Sequence, residues 1–250
     1  MFRDLLTRGW RGGTIGFGAA QIGGDHAFWP GEAPFVARAT PARQAEFAAG
    51  RAAARQALRA VGLVPFAIPM RADRAPVWPA GIVGSITHHD GQCLAVATRR
   101  RIAAGLGLDL EPLDPLAPDL AFEITTAAER TWLSGQPEDL RGVLARVVFS
   151  AKEASYKALY PQTGEVVGFD AMEIRPDLAL GRFTATLNRR FGRYPMGQRL
   201  IGQIRVENGL VCTLLALTPP TEHGGAGAEH GGAGAGLDEM EMQCFHAAGD

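Results

Sequence analysis

The segment Gly105-Leu-Gly-Leu-Asp-Leu-Glu111 holds the residues best placed to do chemistry. Alternation at period two puts Leu106, Leu108 and Leu110 on one face of a strand and Asp109 and Glu111 on the other. Two carboxylates two residues apart on a strand stand roughly 6 to 7 Å from one another. At an effective dielectric near 20 their repulsion is about 2 to 3 kcal/mol, and it falls below about 1 kcal/mol in bulk water, so a half-buried pair calls for a cation. Oxygen ligands alone favour a hard ion such as magnesium. Gly105 and Gly107 share the acidic face, and the absence of side chains there predicts open space beside the acids for an ion or ligand.

Further along, Ser150, Lys152, Glu153 and Lys157 sit on a stretch of helical character. Read locally, Ser150 and Glu153 have the spacing of a capping box, and Glu153 with Lys157 forms a favourable i, i+4 pair. Read as chemistry, Glu153 is a third carboxylate for the Asp109 and Glu111 ion, with Lys152 and Lys157 facing an anion that the ion also binds. Spacing alone leaves both readings open.

On an earlier helix, Arg43, Arg51, Arg55 and Arg59 recur at multiples of four. Such a stripe is either a solvated face or an anion site, and guanidinium forks suit phosphates. Gly84-Ser-Ile-Thr-His-His-Asp90 is a strand end running into a turn. Adjacent histidines on extended chain point to opposite sides, which disfavours a shared metal and leaves two comparable readings: one of His88 and His89 as a phosphate or base contact, or a turn histidine with no role. Arg99, Arg100 and Arg101 fall at a predicted hairpin tip as a solvated cluster.

The elements that must position these groups follow from pattern. Thr14 to Ile22 reads as a strand, and Thr40-Pro41 as an N-cap and first helical residue of a helix that runs to about Val61 and stops at Gly62. Ile82 to Ile86, Cys93 to Thr98 and Ala103 to Glu111 read as strands. Helices near Thr126 to Ser134 and Pro137 to Tyr160 follow, then strands near Met172 to Arg175, Phe183 to Leu187, Gln198 to Glu207 and Leu210 to Thr218. The fold class is α+β, in two similar α/β halves, 1–111 and 112–218, meeting near Glu111. From Thr221 the composition turns to Gly, Ala, His and acids, and Glu222-His-Gly-Gly-Ala-Gly-Ala recurs from Glu229, so residues 219–250 read as a disordered tail without a function.

Composition bounds the rest. The chain has 250 residues, is 46% hydrophobic and 20% charged, and carries a formal net charge of −1, which argues against non-specific nucleic-acid binding as the main activity. Cys93, Cys212 and Cys244 lie far apart with no Cys-x-x-Cys spacing, as expected of a reducing compartment without a zinc module. No apolar run reaches the length of a membrane span. The expectation is a cytoplasmic protein.

Trp78-Pro-Ala-Gly-Ile-Val-Gly-Ser-Ile-Thr-His88, Gly107-Leu-Asp-Leu-Glu-Pro112 and Phe149-Ser-Ala-Lys-Glu-Ala-Ser-Tyr-Lys157, in this order, together with the helix Arg43 to Leu58, resemble the 4′-phosphopantetheinyl transferases of the monomeric bacterial type that serve siderophore, non-ribosomal peptide and polyketide synthases. The resemblance spans most of the chain before the tail. It implies two pseudo-symmetric halves with coenzyme A and magnesium in the cleft between them. By similarity the metal ligands are Asp109, Glu111 and Glu153, which raises the ligand reading of Glu153 above the cap. Coenzyme A is held by Arg43, Arg51, Arg71, Thr87, His88 and Lys152, with His88 and Arg71 near the 3′-phosphate, Arg74 as the alternative to Arg71, and Lys152 and Lys157 near the pyrophosphate.

The implied reaction is attack by a serine hydroxyl of an acyl or peptidyl carrier protein on the β-phosphorus of coenzyme A, releasing adenosine 3′,5′-bisphosphate. Glu153 is the candidate base and Lys157 offsets or protonates the leaving group. A magnesium-dependent phosphohydrolase of a nucleotide-like ligand and a non-catalytic coenzyme A-binding module are the alternatives.

Overall fold

Thr40 and Pro41 start the first helix as their residue types require. Thr40 Oγ1 accepts from Arg43 N at 3.3 Å, and Pro41 occupies a position where no N–H is needed. This helix, α1 (Pro41–Ala60), belongs to a computed structural model that describes residues 14–220. Three strands accompany it, β1 (Gly16–Gln21), β2 (Ile82–His89) and β3 (Gln92–Arg99), in an antiparallel sheet of order β1-β3-β2. The β2–β3 hairpin turns at Asp90 and Gly91, both at positive φ, as a tight two-residue turn demands.

The second half opens with β4 (Gly105–Pro112). It continues through α2 (Pro118–Ile124), α3 (Ala127–Ser134), α4 (Glu138–Thr163), β5 (Met172–Asp177), β6 (Arg182–Leu187), β7 (Arg199–Glu207) and β8 (Leu210–Leu217). Its antiparallel sheet has the order β4-β8-β7-β6-β5. Every strand expected from the pattern is present, with β2 extending three residues further, to His89; α2 is an additional helix. No helix among the described residues is long and apolar enough to cross a membrane.

Two expectations are corrected by the structure, one by sheet topology and one by helix packing. β4 pairs with β8, Asp109 opposite Thr213 and Glu111 opposite Val211, so the acidic strand belongs to the second sheet. The boundary between halves therefore falls between Arg99 and Gly105, not at Glu111. Secondly, Gly105 and Gly107 do not leave room for a ligand. A methyl group on Gly105 would overlap the carbonyl oxygen of Ala158, and one on Gly107 that of Ala154, because α4 lies directly on this strand.

The same device recurs in the first half. Methyl groups on Gly16 and Gly18 of β1 would overlap the carbonyl oxygens of Ala57 and Ala53 of α1. In each half, glycines two apart on a strand meet alanines four apart on the covering helix. A strand face without side chains lets the helix backbone approach to contact distance, and this matched pair of seats is the structural content of the two-fold likeness.

The two sheets meet where the edge strands β2 and β4 run beside each other, and Leu108 N donates to Ser85 Oγ at 3.0 Å across the join. Leu106, Leu108 and Leu110 face the first half, buried against Val83, Leu94 and Val96 and flanked by Cys212 and Leu214. The apolar face of the acidic strand is thus the seam between halves. The acids stand on its other face, under α4.

Candidate active site

Between α1 and α4 lies a cleft of about 920 Å³, floored by β2 and β4. It is lined from the first half by Arg43, Glu46, Arg51, Arg71, Thr87 and His88, and from the second by Asp109, Glu111, Glu153, Tyr156, Lys157 and Tyr160. The alternation of β4 and the rise of α4 bring these groups together. Glu153 and Lys157, one turn apart, project from the same face of α4 over the acidic face of β4.

The acids are buried, Asp109 to 3%, Glu153 to 6% and Glu111 to 8% exposure. Lys157 Nζ donates to Asp109 Oδ1 at 2.6 Å, and Thr87 Oγ1 lies 3.5 Å from the same oxygen. Glu111 Oε2 accepts from Arg146 Nη1 at 3.0 Å. That leaves Asp109 Oδ2 and Glu153 Oε1 buried with no hydrogen-bond partner. Burial, then the charge of Asp109, pushes the Glu111 carboxyl well above the ordinary carboxylate range against the pull of Arg146. Burial does the same to Glu153, opposed by Lys157 and reinforced by Asp109 and Glu111. Burial works against the charge of Lys157, but Asp109 and Glu153 outweigh it and hold the ammonium above its ordinary value.

Among the described residues no three His, Cys, Asp or Glu side chains already stand in metal-holding geometry. The donor set nevertheless suits a hard divalent ion. It offers three carboxylates on one cleft wall, two of them with an orphaned buried oxygen, and a lysine supplies the countercharge that such a cluster needs.

The arginine stripe divides. Arg43 lines the cleft and pairs with Glu46 at 3.0 Å, while Arg51 is buried beneath it, donating through Nε to Ile68 O at 2.6 Å with its guanidinium over the Phe47 ring. Arg55 turns inward to a buried pair with Glu32 at 2.8 Å, and Arg59 is exposed. The solvated-face reading fails for Arg51 and Arg55, because a spacing of four drifts around a helix of 3.6 residues per turn and carries successive arginines to different surroundings. Arg71 and Arg74 both line the cleft on the loop between Met70 and Pro76, and His88 lies at its rim. Arg100 also reaches the lining, from a connection between two sheets rather than from a hairpin.

Lys152 and Ser150 stand elsewhere than their spacing indicated. Lys152 points away from the cleft into the interior of the second half, where its ammonium lies 2.8 Å from Glu129 and donates to Ile124 O at 2.8 Å and Phe169 O at 2.6 Å. Neighbours on a helix diverge by about 100°, so Lys152 and Glu153 cannot share a wall. Ser150 lies in the middle of α4 and its hydroxyl meets Thr213 Oγ1 at 2.9 Å, so it caps nothing. The capping box in this region is Thr126 with Glu129 at the start of α3. Sequence reasoning missed Arg146, Glu46 and Tyr160. A helical projection of α4 from Glu153 would have found Tyr160, seven residues on along the same face. The histidines of the tail and Cys244 lie outside the described residues.

Two family models cover this architecture. The 4′-phosphopantetheinyl transferase N-terminal domain matches residues 31–98, and the 4′-phosphopantetheinyl transferase superfamily matches residues 105–205. The chain belongs to the 4′-phosphopantetheinyl transferase superfamily. Similar curated proteins include 4′-phosphopantetheinyl transferase Svp of Streptomyces mobaraensis, 40% identical over 84% of this chain and 87% of that one. 4′-Phosphopantetheinyl transferase PptT of Mycobacterium tuberculosis is 36% identical over 75% of this chain and 85% of its own. Enterobactin synthase component D of Salmonella typhimurium is 35% identical over 70% and 73%. These matches favour the transferase over the hydrolase and binding-module alternatives. The two model boundaries also fall on either side of the connection between the sheets.

Proposed function

We propose that this phosphopantetheinyl transferase moves 4′-phosphopantetheine from coenzyme A to a serine of an acyl or peptidyl carrier protein, with Mg²⁺ as its metal, and releases adenosine 3′,5′-bisphosphate. The observation that carries the reading is that guanidinium groups of the first half and the three acids and lysine of the second line one cleft.

Arg43, Arg51 and Arg71, with His88, hold the phosphates of coenzyme A, and Thr87 steadies Asp109 from the other half. Asp109, Glu111 and Glu153 would hold Mg²⁺, which when bound neutralises the pyrophosphate and so lowers the cost of charge developing on the leaving phosphate. The carrier serine oxygen attacks the β-phosphorus, the bond to the bisphosphate breaks, and the serine proton passes to Glu153, whose carboxylate lines the cleft from α4. Lys157, kept cationic by Asp109, offsets the charge on the departing group. Lys152 has no part in this scheme; its charge is committed to Glu129. A monomeric, cytoplasmic enzyme without nucleic-acid or membrane partners completes the reading.

The test is intact-mass spectrometry of an apo carrier protein incubated with this protein, coenzyme A and Mg²⁺. A mass gain of one phosphopantetheine group, lost with Asp109→Ala and with a chelator, is the expected result. No gain with several unrelated carriers, despite coenzyme A binding, would overturn it.

A further inference from the structure

The loop Met70 to Pro76 is built around one carboxylate. Met70 and Pro76 form an isolated bridge at its base, Arg71 N donates to Ala75 O at 2.9 Å, and Arg74 turns the chain at a φ of 64°. Inside it, Asp73 Oδ1 accepts from Ala75 N at 3.0 Å, and Asp73 Oδ2 accepts from Arg71 Nη2 at 2.5 Å. The remaining donor comes from the other half of the molecule. Tyr160 Oη, on α4, donates to Asp73 Oδ2 at 2.7 Å.

Tyr160 stands three residues beyond Lys157 and seven beyond Glu153, so it extends the face of α4 that carries both groups across the cleft. Its ring rests against Tyr156, with centroids 5.4 Å apart, which fixes the direction of the hydroxyl. Arg71 is otherwise half exposed and long, a side chain with many orientations open to it. A carboxylate that accepts from the loop backbone, from the arginine and from the opposite wall restricts those orientations before a ligand arrives, and pre-ordering of this kind raises affinity without adding a contact.

We infer that Asp73 and Tyr160 form a cross-cleft tie that positions Arg71 for an anionic group of the ligand, making both of them positioning residues for coenzyme A. The inference rests on the proposed reading of Arg71 as a contact to the 3′-phosphate. It locates the aiming of that contact in a bond between the two halves, with the loop as the part that is aimed.

Coenzyme A and 3′-dephospho-coenzyme A differ by the group in question, so calorimetric titration of the full chain with each separates the possibilities. Arg71→Ala should weaken coenzyme A and leave the dephospho form unchanged. Tyr160→Phe, which keeps the ring and removes the donor, should weaken coenzyme A by about fivefold with the dephospho form again unchanged, as for loss of one ordinary net hydrogen bond. Asp73→Asn should do the same, and adding Tyr160→Phe to Arg71→Ala should cost nothing further. If Arg71→Ala discriminates between the ligands and Tyr160→Phe does not, the tie is refuted while Arg71 keeps its role. If Arg71→Ala does not discriminate, the reading of Arg71 fails and the inference falls with it. Equal weakening of both ligands by Tyr160→Phe, or tighter coenzyme A binding by Asp73→Asn, would also overturn the tie; the first means a general effect on the fold, the second that the carboxylate competes with the ligand.

Discussion

Lys157 Nζ lies 2.6 Å from Asp109 Oδ1, so the acid cluster carries its own countercharge. Lys157→Met would leave Asp109 buried without that partner and remove the cation facing the reacting phosphates. A fall in kcat of about 10²-fold or more is expected, in the range for loss of one preorganised electrostatic group. Steady-state transfer assays with folding checked by circular dichroism measure it.

Removal of the metal should be visible without any turnover. A ligand bound only by the folded state at 100 times its Kd stabilises that state by about 2.7 kcal/mol. Mg²⁺ should therefore raise the melting temperature of the wild type in a saturable way. The rise should vanish with Asp109→Asn, the variant least disturbing in shape, as thermal melts over a Mg²⁺ series would show.

Gly107 and Gly18 occupy matching seats in the two halves, each against an alanine carbonyl oxygen of the covering helix. Gly107→Ala and Gly18→Ala should each destabilise the chain by about 3 kcal/mol, at the upper end for overpacking, because the obstructing atom is backbone and cannot rotate away. Urea denaturation compares them. Gly81→Ala, at a positive φ but with no heavy atom within 4 Å of its Cβ, separates steric overlap from backbone strain.

Glu129 caps α3, accepts from Ile174 N at 2.5 Å and pairs with the buried Lys152. Glu129→Gln should cost about 3 to 5 kcal/mol, the usual result of leaving a buried charge unpaired. Glu129→Gln with Lys152→Met should recover part of that loss. Activity per folded molecule in the double variant should stay near wild type, which would also confirm that Lys152 takes no part in the chemistry.

Burial raises the Asp73 carboxyl, but hydrogen bonds from Tyr160 and Ala75 and the charge of Arg71 outweigh it and hold the group below its ordinary value of 3.8. A depressed acid gives stability that is complete above the unfolded pKa and is lost as pH falls through the folded one. The stability difference between wild type and Asp73→Asn should be constant from about pH 5 upward and shrink below about pH 4. Chemical denaturation across that range tests the sign.

Much of the site was legible because the signals that reveal it are local. Period two on β4 put Asp109 and Glu111 on one face, and both line the cleft. Thr40-Pro41 and Gly62 delimited α1 to within two residues. What could not be read depends on what packs against an element. The glycines of β4 looked like vacant space because alternation names a face without naming what covers it, and α4 covers this one. Lys152 looked like a partner of Glu153 because it adjoins it, yet its surroundings are set by α3 and the segment around Phe169. The assignment of β4 to the second sheet depends on β8, about a hundred residues away.

The seam of Leu106, Leu108 and Leu110 joins two halves that each contribute one side of the cleft. Its packing therefore sets the calliper width between the arginines and the acids. A conservative trim there, such as Leu108→Val, would act as a change of gauge: the enzyme would remain folded, and the loss would register first as weaker discrimination among ligands of different length between their phosphates.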